Sequence, residues 1–180
     1  MRRRYLQWIV LVGFLLAVAA IAGAGSLFTS SGVSTWYRQL VRPAWTPPNW
    51  LFGPVWTVLY ASMAAAGWLV WRRGRYGPVG DRPAPADRMG PVRGGLPAAR
   101  RALGLWALQL LLNGAWSPIF FGLHSLAGGL IVIALLWLAI LATLMAFRPL
   151  SRPAAILMLP YLAWVTFAAC LNLALWRLNP

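Results

Sequence analysis

Five stretches of this chain are long enough and apolar enough to cross a bilayer as helices, and that leaves few folds open to it. They cover residues 5–28, 50–71, 102–122, 126–147 and 154–176, each close to the roughly 20 residues that a spanning helix needs. With 61% hydrophobic residues and a mean hydropathy of +0.68, the 180 residues carry too little polar surface for a soluble domain. The runs are continuously apolar, without the two-residue alternation of a membrane barrel. The expected fold is an all-α membrane protein, with residues 1–180 forming a single five-transmembrane-helix bundle. The first run follows Arg2, Arg3 and Arg4 and contains Ala22-x-Ala24, so it has features of a secretory signal. Its apolar length exceeds the 7–15 residues or so of a signal core, and it reads as the first spanning helix.

Charge sets the expected orientation. All 16 basic residues are arginines, and the only acids are Asp81 and Asp87. A net charge of +14 suits nucleic acid only when it sits on a folded soluble face, and this chain offers none. Eight arginines fall in residues 72–101, a stretch rich in proline and glycine that reads as an irregular loop. That loop, the N-terminus and the turn at 148–152 share one side of a five-span chain. The opposite side carries only Arg38, Arg42 and Arg177. In a plasma or inner membrane this bias places the N-terminus in the cytoplasm and the C-terminus outside.

The polar and aromatic residues inside the runs are few and lie on helix faces. Trp56 and Tyr60 stand four apart on the second run. Gln109, Asn113, Trp116 and Ser117 share a face of the third, and Tyr161, Trp164 and Ala168 share a face of the fifth. Pro160 is expected to bend the fifth helix. An amide at that depth must find a partner. An interhelical hydrogen bond and an amide that fixes a ligand are both consistent with Asn113. The connector at 29–49 adds Trp36, Tyr37 and Trp45, and Trp50 opens the second run; all four suit an aromatic belt at the membrane–water boundary. Together the three faces would line one uncharged hollow suited to a large, flat, mostly apolar molecule. They hold no nucleophile–base pair, and one histidine (His124) with one cysteine (Cys170) gives no multi-ligand metal site. His124, in the turn between the third and fourth runs, is a surface residue on this reading, with haem-iron ligation as the alternative.

Four segments, "WYRQLVRPAWTPP", "FGPVWTVLY", "LQLLLNGAWSPIFF" and "LPYLAWVTFAACLN", resemble the TspO/MBR family, the tryptophan-rich sensory or translocator proteins once called peripheral benzodiazepine receptors. The resemblance covers nearly everything except residues 72–101. It implies a five-helix bundle, commonly a homodimer, that binds porphyrins or haem-pathway tetrapyrroles beneath a lid formed by the first connector. The pocket positions it implies are Tyr37, Trp45, Trp56, Tyr60, Asn113, Trp116, Trp164 and Ala168; Gln109 and Tyr161 join them from the helix faces alone. The implied function is that of a membrane tetrapyrrole sensor, regulator or transporter, with porphyrin as ligand and no cofactor required. Light-dependent porphyrin degradation through Trp56 and Trp164 is one implied alternative. A sterol- or lipid-binding scaffold is another, although Leu173 stands where the family's animal members carry the tyrosine of a cholesterol pattern.

Overall fold

The structure is a computed structural model, and it describes residues 2–34, 36–77 and 95–180. Among the described residues there are six α-helices: α1 (Arg2–Ser34), α2 (Trp36–Gln39), α3 (Phe52–Tyr76), α4 (Gly95–Ser117), α5 (Leu126–Phe147) and α6 (Arg152–Leu178). All but the four-residue α2 are long and apolar enough to cross a membrane. The protein is therefore an all-α multi-pass membrane protein. In hydrocarbon the backbone has no water to bond, so each span must close its own hydrogen bonds as a helix.

The long helices pack as a ring in the order α1–α3–α6–α5–α4, and α3 also touches α4 across it. A shared core fills the interior, with Met63, Ala64, Val70, Ile140, Phe147, Met158 and Tyr161 among its buried side chains. Outward-facing residues such as Ile9, Val12, Leu16, Leu111, Ile131, Leu138 and Ile156 are exposed, as a lipid-facing surface requires. At one end Trp68 on α3 donates its indole N–H to the Gln7 carbonyl of α1 at 2.9 Å. At the other end the amide of Asn179 meets the first connector at Val41. The two chain ends thus lie at opposite ends of the bundle.

Most helix boundaries follow local chemistry. Ser125 and Ser151 cap α5 and α6 by accepting bonds from the Gly128 and Ala154 amides. Gly77, at φ 76°, ends α3 in a left-handed conformation. Two expected boundaries need correcting. Helix α3 continues to Tyr76 and α4 begins at Gly95, so both ends of the 72–101 stretch are helical. Arg72, Arg73, Arg75, Arg100 and Arg101 belong to helix ends, because arginine is a good helix former and its long stem reaches back to the interface. Arg82, Arg88 and Arg93 lie outside the described residues. The connector also contains more helix than 29–49 suggests: α1 runs to Ser34, α2 follows, and a 3₁₀ turn spans Asn49–Leu51. Helix α6 passes through Pro160 as one unbroken element.

Candidate functional site

The π-helical turn Pro118–Gly122 is where the α4 ladder changes register. Pro118 has no N–H to give, and the Leu123 amide instead reaches the Pro118 carbonyl at 2.9 Å. Such turns recur at functional sites. This one slides the Phe120 ring beneath Trp116, with centroids 4.6 Å apart and planes 19° from parallel.

One turn below Trp116, three helices meet through hydrogen bonds. The Tyr60 hydroxyl of α3 donates to Asn113 Oδ1 at 2.8 Å, and Asn113 Nδ2 donates to the Tyr161 hydroxyl of α6 at 3.0 Å. Trp56 packs on both tyrosines, 5.2 Å from Tyr60 and 6.1 Å from Tyr161 between centroids. Asn113 is buried and Tyr161 wholly so. The sequence admitted two roles for this amide; in this structure it joins the helices. A polar group at that depth needs protein partners, and the two tyrosine hydroxyls supply them.

The other expected residues fall into two further groups. Trp164 lies against Phe52 at 5.7 Å and Phe167 at 5.6 Å, and Phe167 meets Trp45 of the connector at 5.7 Å. Ala168 is half-buried against the same core as Trp164. Trp116 donates to Asn172 Oδ1 at 3.4 Å, and Asn172 Nδ2 in turn donates to the Leu126 carbonyl at 2.9 Å. Tyr37 is buried against Phe120 and Phe121, and the Arg42 guanidinium stands 5.6 Å from its ring centroid. Burial raises the Tyr37 phenol above its ordinary pKa of 10.0, partly opposed by Arg42. His124 is exposed, has φ 51°, and stacks on Trp36 at 4.8 Å.

These side chains make direct contacts in clusters, with Asn113, Trp116 and Trp164 each in ring or hydrogen-bond contact with a neighbouring helix or the same helix. An open cavity of about 680 Å³ lies along the connector, lined by Leu40, Arg42, Pro43, Thr46, Pro47, Pro48, Asn49 and Trp50. Gln109 stands apart as well. It is fully buried, and neither amide atom has a hydrogen-bond partner.

Sequence reasoning missed Phe52, Phe120, Phe121 and Phe167 as part of these clusters and gave Asn172 no role. Helical spacing held the signal. Phe52 precedes Trp56 by four, Phe120 follows Trp116 by four, Phe167 follows Trp164 by three, and Asn172 follows Ala168 by four.

The connector is tied down at Val41. Its N–H donates to Asn179 Oδ1 at 2.9 Å, and Asn179 Nδ2 donates to its carbonyl at 3.0 Å. Asn179→Ala removes both bonds. With roughly 1 kcal/mol for each exposed pair at most, hydrogen exchange at the Val41 amide should rise about tenfold. An unchanged rate would mean that the connector is held elsewhere.

The profile of the TspO/MBR family matches residues 13–177. The chain is 39% identical to the tryptophan-rich protein TspO of Chlorobaculum tepidum over the full length of both. It is 37% identical to the human translocator protein, covering 96% of this chain and 91% of that one. It is 34% identical to a tryptophan-rich sensory protein of Cereibacter sphaeroides, covering 97% and 94%.

Proposed function

Because this chain belongs to the TspO/MBR family, we propose that it binds a tetrapyrrole of the porphyrin class at the connector end of the bundle. It would act there as a membrane sensor, regulator or transporter. The observation that carries this reading is an uncharged aromatic strip, Trp45–Phe167–Trp164–Phe52, at the connector end of the bundle. Broad π surfaces stack on flat macrocycles. The nearby cavity along the connector has Arg42 as its one charged lining residue, and a guanidinium pairs with a carboxylate in a charge-assisted, bidentate fashion. Its volume falls inside the roughly 300–1,000 Å³ usual for small-molecule sites. Trp45 is 49% exposed, so the strip is accessible at that end. Trp164 of this strip and Trp56, one turn along α3 from Phe52, would supply the indole surfaces for the macrocycle. In a plasma or inner membrane, the positive-inside bias would put this end on the outer side, with the N-terminus in the cytoplasm.

The test is a titration of the purified chain with protoporphyrin, read by tryptophan quenching in detergent. Trp56→Phe combined with Trp164→Phe should weaken binding at least several-fold. Arg42→Gln should weaken the dicarboxylic porphyrin about tenfold and leave its dimethyl ester unchanged, because the ester has no carboxylate to pair. Wild-type affinity in the double tryptophan variant would rule out this strip as the site.

A further inference from the structure

The opposite end of the bundle holds a second cleft, of about 290 Å³, between the start of α1, the end of α3 and the start of α4. Its apolar walls are Leu6, Trp71, Leu96 and Leu103, and Arg75 and Arg100 stand at its rim. Gly74 and Ala99 form the floor. A Cβ at Gly74 would collide with that of Ala99, so α3 and α4 are as close there as two backbones allow and the cleft cannot collapse further. Leu6 and Leu96 are 41% and 45% exposed.

Among the described residues the arginines here meet no carboxylate side chain. Arg72, Arg73, Arg75, Arg100 and Arg101 cluster at this end, and none of the described residues is Asp or Glu. Arg72 lays its guanidinium over the Trp68 ring at 4.4 Å, and its Nε is buried without a hydrogen-bond partner. Trp68 in turn stacks on Trp8 at 6.1 Å. Tryptophans at a helix end mark the level of the lipid headgroups. The cleft therefore presents two guanidinium forks above an apolar slot at the depth of membrane phosphate.

We infer that this cleft binds the headgroup phosphate of an anionic glycerophospholipid. Arg75 and Arg100 pair with the phosphate oxygens, and one acyl chain enters between Leu6 and Leu96. That chain continues down the exposed face of α1 past Ile9 and Val12. An anionic lipid brings negative charge that no described side chain supplies to these arginines. A zwitterionic lipid brings a cation as well, which five arginines repel. Basic clefts between spanning helices on the positively charged side are suited to such headgroups.

Native mass spectrometry of the delipidated full-length chain tests this, with phosphatidylglycerol and phosphatidylcholine of matched acyl chains as probes. Phosphatidylglycerol should bind about tenfold more tightly. Arg75→Gln with Arg100→Gln should bring it to the phosphatidylcholine level. Arg148→Gln with Arg152→Gln removes the same charge from the neighbouring turn and should leave the preference intact. Millimolar inorganic phosphate should not displace the lipid, because it has no chain to fill the slot. Independently, phosphatidylglycerol brominated near the glycerol should quench the unmodified chain more than brominated phosphatidylcholine does. That difference should vanish in Trp71→Phe. The proposal is overturned if the first pair of substitutions leaves the preference unchanged, if both pairs reduce it equally, if phosphate competes, or if Trp71 makes no difference to quenching.

Discussion

Replacing Asn113 by leucine should destabilise the bundle by about 2–3 kcal/mol, since it leaves the Tyr60 and Tyr161 hydroxyls without their shared amide. The side chains have similar volume, so packing is nearly conserved. What disappears is the partner of two hydroxyls, one of them on a fully buried residue. Each orphaned hydroxyl costs roughly 1–3 kcal/mol in a low-dielectric interior. Two such hydroxyls would sum to roughly 2–6 kcal/mol, and measured side-chain hydrogen bonds in membranes, which average nearer 0.6 kcal/mol, pull the sum to its lower end. The measurement is denaturation of the purified protein in mixed detergent micelles. The triple variant Tyr60→Phe, Asn113→Leu, Tyr161→Phe should recover most of the loss, because it leaves no polar group unpaired. If Asn113→Leu is as stable as the parent, the amide is not what holds α3, α4 and α6 in register.

Gly129→Val should do comparable damage by steric means. A Cβ at this position of α5 would lie 2.7 Å from Phe120 Cδ2 and 2.9 Å from Asn172 Oδ1. Phe120 is almost wholly buried and held under Trp116, and Asn172 is tied to both Trp116 and the Leu126 carbonyl. Neither neighbour can yield without breaking a stack or a hydrogen bond. Overpacking of this kind costs about 1–3 kcal/mol, and valine's two methyls push it to the upper end. Near-ultraviolet circular dichroism should lose the tryptophan signature, because the Trp116 cluster is displaced along with α5. Gly104→Val is the matched control. A Cβ there meets nothing within 4 Å, so its effect should stay within about 0.5 kcal/mol. Equal behaviour of the two variants would refute the close-packing argument.

The two substitutions show why the site was only partly legible in the sequence. Helical spacing placed Asn113, Trp116, Tyr60 and Tyr161 on inward faces, because a polar or amphipathic group in hydrocarbon must turn toward the protein. Spacing says which residues share a face and nothing about which faces meet. Asn113 therefore read equally well as a ligand-binding amide or as a link between helices, and the ring order of the bundle brought it against two tyrosines. The phenylalanines of the clusters were invisible for a related reason. A phenylalanine in an apolar run carries no polar mark, so only a neighbour in space separates Phe120, under an indole, from one that faces lipid.

The sequence by itself determined five membrane-spanning helices, the gathering of most arginines at one end, and membership of a family whose signature residues lie on three of those helices and the first connector. Those features follow from hydropathy and from residue order, which a chain carries before it folds. Only the tertiary structure decided that the aromatic faces interlock, that the cavity lies along the connector, and that Gly74 and Ala99 close the floor of a basic cleft. Each of these depends on the distance between helices remote in the chain, and that distance is set by which side chains can pack between them.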